Sequence, residues 1–154
     1  MLRIALAVLH LLALGIGLGA IHGRARALRA LAASPDALRR AFAADAWWGI
    51  AALVWIATGL WRALAGTEKA PGYYWSNPVF HAKMGLFVLV FLLELRPMTT
   101  LTRWRRGAAR GTLPPVAELA PTARTLARTS DLQTALLVAI VVAAVLMARG
   151  YGTT

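Results

Sequence analysis

Residues 2–21 read LRIALAVLHLLALGIGLGAI, and within them the only ionisable side chains are Arg3 at the start and His10 near the middle. About 20 predominantly apolar residues are what an α-helix needs to cross the hydrocarbon core of a bilayer. A run this uniform has no polar face to offer water. Arg3 ahead of an apolar stretch that ends in Gly19 and Ala20 also has the outline of a signal peptide, yet Arg24, Arg26 and Arg29 follow directly without a convincing cleavage site. The segment therefore reads as a retained span. Three further blocks repeat the pattern, giving spans at 2–22, 42–64, 79–96 and 131–148. The reading is all-α: a single membrane domain over residues 1–154, built as a transmembrane four-helix bundle.

Composition agrees, with 59% hydrophobic and 15% charged residues and a mean hydropathy of +0.62. The chain has no cysteine, which excludes disulfides, thiolate metal sites, iron–sulfur ligation and covalent c-type haem attachment. Any metal must be held by His, Met or oxygen. A net charge of +11 raises the question of nucleic acid. No basic module interleaved with aromatics supports that reading, so no nucleic-acid partner is expected.

The charge is distributed unevenly instead. Arg24, Arg26, Arg29, Arg39 and Arg40 lie between spans one and two, and Arg96, Arg103, Arg105, Arg106, Arg110, Arg124 and Arg128 between spans three and four. These twelve cations face four on the other side, Arg3, Arg62, Lys69 and Arg149, with Lys83 inside the third span. The positive-inside bias puts both arginine-rich connections in the cytoplasm and both termini in the periplasm of a bacterial inner membrane. The basic surface then meets anionic lipid of the inner leaflet.

Local signals predict the helix ends. Ser34-Pro35-Asp36 supplies an N-cap, a proline at the first helical position and an acid in the first turn. Asn77-Pro78 repeats the device. The stretch from Ala65 to Ser76, with Tyr73-Tyr74-Trp75, reads as an outer loop at the membrane interface. Gly107, Gly111 and Pro114-Pro115 break the chain after the third helix, and Pro121 opens a long fourth one. Gly15 and Gly19 have the spacing for close helix approach, and the same thin face can admit a flat cofactor.

Ionisable residues within spans are costly and tend to face a bundle interior, so chemistry is sought there. His10 and His81 fall at nearly the same depth below the outer boundary. Two imidazoles from different helices can hold a haem from opposite faces, or His10 can act alone, and Met84 is a further ligand candidate. Lys83 and Arg62 stand where they can meet anionic groups, although a lysine there can equally snorkel to the headgroups. Near the cytoplasmic end Asp45 is expected to pair with Arg24 or Arg26, and Glu94 with another helix's cation, at the level of His22, Arg96, Asp131 and Gln133. That cluster closes the bundle through ion pairs or serves as a proton relay or substrate anchor. Trp55 and Trp61 read as interface anchors.

The segments HLLALGIGLGAIHGRARALR, LRRAFAADAWWGIAALVWIATGLWRAL, NPVFHAKMGLFVLVFLLELRPM and TLTRWRR resemble a bacterial integral-membrane family that has only an unknown-function label. The resemblance covers most of the chain and implies four membrane helices. A second, shorter resemblance is to the HemJ-type haem-containing protoporphyrinogen IX oxidases, through His10, Arg26 and the His81-Ala82-Lys83 triplet. It implies a haem b held by His10, catalytic roles for Lys83 and Arg26 and a functional one for His81, and electron removal from a tetrapyrrole substrate toward a respiratory electron acceptor. The residues thus point to a haem-b-binding redox protein, which can also be a homo-oligomer. The alternative is a small membrane transport, channel or assembly-accessory protein without a cofactor. A third reading is metal handling by His10, His81 and Met84.

Overall fold

The computed structural model describes residues 1–65 and 71–152, with Pro71, Tyr73 and Tyr74 described without their side chains. Its elements are α1 (Leu2–Arg29), α2 (Ala37–Leu64), α3 (Pro71–Ser76), α4 (Pro78–Arg110) and α5 (Val116–Ala148). By length and composition, α1, α2, α4 and α5 can each cross a membrane. Part of the outer loop read at 65–76, together with Lys69, lies outside the described residues; the rest contains α3.

The helices outrun the expected spans. Helices α4 and α5 have 33 residues each, about 50 Å at 1.5 Å per residue, against a hydrocarbon core of about 30 Å. Pro97 does not end α4. A proline removes one hydrogen bond of the ladder, and here Pro97, Leu101 and Trp104 continue one buried stripe that holds the helix on course. The stop comes at Gly111, whose φ of +67° is left-handed. Thr112 donates its N–H back to the Gly107 carbonyl at 2.9 Å, closing a Schellman turn.

Helix α5 begins at Val116 rather than at Pro121, because Pro114-Pro115 already ends the connection and Glu118 occupies the first turn. Pro121 sits inside the helix. Helix α2 likewise starts at Ala37, later than the Ser34-Pro35-Asp36 signal implies: Asp36 is at the N-cap without a side-chain capping bond, and Ser34 serves the turn, its carbonyl accepting from Ala37 N at 3.1 Å. Asn77 caps α4 as its sequence predicts. Its Oδ1 accepts from Val79 N at 2.9 Å and Phe80 N at 3.3 Å, while its Nδ2 donates to the Tyr151 carbonyl at 3.2 Å.

Helix α1 is central, packing along α2 on one side and α5 on the other; α4 packs on α5, and α2 meets α4 only sparsely. The interior divides into two apolar cores. One, toward the termini, contains Ala13, Ile21, Trp48, Trp55, Leu137 and Ile140. The other, at the arginine-rich end, contains Leu28, Ala41, Leu101, Trp104, Ala123 and Leu126. Within the first core α1 approaches α2 through Gly17, where a Cβ would stand 3.0 Å from Trp48 Cζ3. This corrects the sequence reading of Gly15 and Gly19, around whose Cβ positions nothing lies within 4 Å. Two residues along a helix is a turn of about 200°, so Gly17 and its glycine neighbours cannot share a face.

Candidate functional site

A polar layer separates the two cores. Arg24, fully buried at 0% exposure, reaches the other three long helices. Its Nε donates to Ser130 Oγ at 3.1 Å, Nη1 to Asp45 Oδ1 at 3.0 Å and to Glu94 Oε1 at 2.6 Å, and Nη2 to Glu94 Oε2 at 2.8 Å and Gln133 Oε1 at 2.9 Å. A guanidinium has five N–H donors in a fixed fork, and all are used. The acceptors are held in turn. Gln133 Nε2 donates to Glu94 Oε2 at 2.7 Å and to the Val90 carbonyl at 3.2 Å, and Ser130 donates to the Leu126 carbonyl at 3.0 Å. Arg105 approaches Asp45 Oδ2 at 3.5 Å, so the formal charges of Arg24 and Arg105 balance those of Asp45 and Glu94.

This layer is built from helical spacing. Gly17, Ile21, Arg24 and Leu28 follow one another at intervals of three and four and are all buried, so Arg24 belongs to the face of α1 that packs inward. Arg26, two positions on, is exposed. Of the residues expected in the cluster, the structure brings Arg24, Asp45, Glu94 and Gln133 together and leaves Arg26, His22 and Arg96 on the exterior. Asp131 pairs separately with Arg29. Ser130 and Arg105 were missed by sequence reasoning, although Ser130 precedes Gln133 by three residues and Arg105 follows Glu94 by three helical turns.

Toward the termini, His10 Nδ1 lies 2.9 Å from Thr58 Oγ1. The hydroxyl lies 2.7 Å from the Val54 carbonyl, to which it donates. The hydroxyl also lies 3.2 Å from the Trp55 carbonyl, so Thr58 ties the imidazole to the backbone of α2. The ring packs over Gly59, where a Cβ would be 3.1 Å from Cε1, and stands 5.7 Å from the Trp55 ring. Trp55 is not an interface anchor. It is 7% exposed, contacts Phe87 edge-on at 5.5 Å, and its buried Nε1–H has no acceptor among the described residues. Trp61 is exposed, as its sequence reading has it.

His81 lies on the exposed side of α4. Its Nε2 is 2.9 Å from the Trp75 carbonyl, which can only accept, so this nitrogen holds a proton. Among the described residues no group of three or more His, Asp or Glu side chains is placed to hold a metal ion. Lys83 sits with its Nζ 5.3 Å from the Phe80 ring centroid and within electrostatic reach of Arg62. Arg26 is sixteen residues from His10 along α1, about 24 Å of helix.

Neither a curated protein nor a solved structure matches the chain. One family model does, and it accounts for the four apolar helices and for nearly every residue of the sequence. Matched over residues 2–152, the chain belongs to the family described as predicted membrane protein (DUF2214).

Proposed function

We propose that this membrane protein binds haem b and has a redox role, with His10 supplying an axial imidazole. The observation that carries the reading is the pairing of His10 with Trp55: an imidazole held through Nδ1 on Thr58, beside a buried indole N–H that has no acceptor among the described residues. A hydrogen bond from one ring nitrogen to a second-shell oxygen fixes the orientation in which an imidazole presents its other nitrogen to a ligand. An unmet buried donor costs about 1–3 kcal/mol, a cost that a bound ligand offering an acceptor would remove. Lys83 and Arg62 would meet the cofactor's carboxylates, and His81 or Met84 of α4 would offer a further ligand. Bound haem would supply one-electron transfer, here from a tetrapyrrole substrate toward a respiratory acceptor.

Protein purified from membranes, or reconstituted with added haem, should show a b-type Soret band that His10→Ala abolishes. Trp55→Phe keeps an aromatic side chain but removes the indole N–H together with part of the ring, and it should weaken haem binding by roughly 5- to 150-fold. A colourless protein that takes up no added haem would overturn the proposal. It would favour the cofactor-free transport, channel or accessory reading, to which one observation lends weight: the Arg24 layer satisfies its own donors and needs no ligand.

For orientation we propose a bacterial inner membrane with both termini periplasmic, supported by the twelve-to-four distribution of cations. Alkaline phosphatase fused after Ser34 or after Gly111 should be inactive. Activity at either position would place the arginine-rich end in the periplasm and reverse the assignment.

A further inference from the structure

The outer face between α1 and α2 holds a groove of two adjoining, chemically different halves. The half toward the membrane interior encloses about 370 Å³ and is lined by Ile16, Gly19, Ala20, Ala44 and Trp47. The half toward the arginine-rich end encloses about 400 Å³ and is lined by Gly23, Arg26, Ala27, Ala30, Arg40 and Ala44. Ala44 borders both, so the two adjoin. Nothing lies within 4 Å of a Cβ built on Gly19, and Trp47 is 57% exposed, so the apolar half opens sideways from the bundle.

The two arginines set the chemistry of the other half. No carboxylate pairs with Arg26 or Arg40 among the described residues, and Arg40 donates only to Ser34 Oγ at 3.1 Å. This contrasts with Arg24, Arg29, Arg39 and Arg105, each of which has an acidic partner. Two guanidinium groups at one recess suit a phosphate, which accepts from such forks in bidentate fashion. From Ile16 to Arg26 the groove follows ten residues of helix, about 15 Å, which is about half the ~30 Å hydrocarbon thickness. Its polar half therefore falls at headgroup level when its apolar half lies in the acyl region of one leaflet.

We propose that this groove binds an anionic phospholipid, its phosphodiester held by Arg26 and Arg40 and one acyl chain laid along Ile16, Gly19, Ala20 and Trp47. The site is separate from His10, and it gives Arg26 a lipid rather than a tetrapyrrole as its ligand.

Native mass spectrometry of the full chain, equilibrated with mixed phosphatidylglycerol and phosphatidylcholine vesicles and released in mild detergent, tests this. The parent should retain phosphatidylglycerol in preference to phosphatidylcholine. Arg26→Gln with Arg40→Gln should lower that retention by at least about tenfold, and Gly19→Leu, which fills the acyl half, should lower it with both arginines intact. Arg106→Gln removes an exposed arginine elsewhere at the same end and should leave retention unchanged. Equal loss with Arg106→Gln would show a diffuse basic surface and overturn the site, as would full retention by the Arg26 and Arg40 double variant. Displacement of lipid by millimolar inorganic phosphate alone would point to a free-anion site, and a dimer that Gly19→Leu dissociates would assign the groove to a second copy. Each of those results also defeats the proposal.

Discussion

Arg24→Met should destabilise the protein by about 3–5 kcal/mol, a large part of the 5–15 kcal/mol that typically separates folded from unfolded chains. The substitution keeps most of the side-chain volume but removes the cation from Glu94 and Asp45, and it leaves Gln133 and Ser130 without the donors they accept from. Two carboxylates would then share one layer with no buried cation between them, and only Arg105 at 3.5 Å would remain near Asp45. Adding Glu94→Gln to Arg24→Met removes one of the stranded charges and should recover part of the loss. Asp45→Asn alone should cost less than Arg24→Met, because Glu94 holds the guanidinium through both oxygens. Unfolding in detergent by heat or by rising sodium dodecyl sulfate fraction measures all three. If Arg24→Met unfolds within about 1 kcal/mol of the parent, the layer is not what joins the four helices. A proton-relay or substrate role for Asp45 makes the opposite demand, a folded and inactive Asp45→Asn protein.

The four spans were legible because the apolar runs are long and their boundaries are marked by arginine. The helix ends were not, for a physical reason. Apolar composition reports the extent of the hydrocarbon, whereas the helices of this chain continue beyond the apolar runs into a second core built on Leu101, Trp104, Leu119 and Leu126. Asn77 was readable because a cap is a local device, needing only its own side chain and the next two N–H groups. The choice between Arg24 and Arg26 was harder. Residues 2–21 are apolar nearly all the way round, so the pattern shows little contrast between a lipid-facing and a protein-facing side, and the inward face emerges only from what α2 and α5 place against it. Trp55 shows the same difficulty. Tryptophan at a membrane is enriched at the interface, and nothing adjacent to Trp55 in sequence signals that His10, brought in over Thr58 and Gly59, will cover it.

Gly17→Leu should be the most damaging single change on the lipid-crossing part of α1, with a loss of about 1–3 kcal/mol from overpacking. Even a Cβ at this position would stand 3.0 Å and 3.2 Å from two ring atoms of Trp48 and 3.7 Å from Ala51 Cβ, and Trp48 is itself buried at 6% exposure. The ring cannot swing aside without leaving the core it shares with Ile21, Val90 and Leu137, so relief requires α2 to move away from α1. That movement would also withdraw Thr58 from His10, coupling the helix contact to the orientation of the imidazole. Gly15→Leu supplies the contrast, since nothing lies within 4 Å of its Cβ and replacing glycine within a helix gains up to about 1 kcal/mol of propensity. Gly15→Leu should therefore leave stability unchanged or raise it. Thermal unfolding in detergent, read from tryptophan fluorescence, separates the two variants. Equal damage from both would mean that the Gly15 face is packed against another surface in the membrane, and the assignment of α1's inward face to Ala13, Gly17, Ile21 and Arg24 would no longer account for how the helix is held.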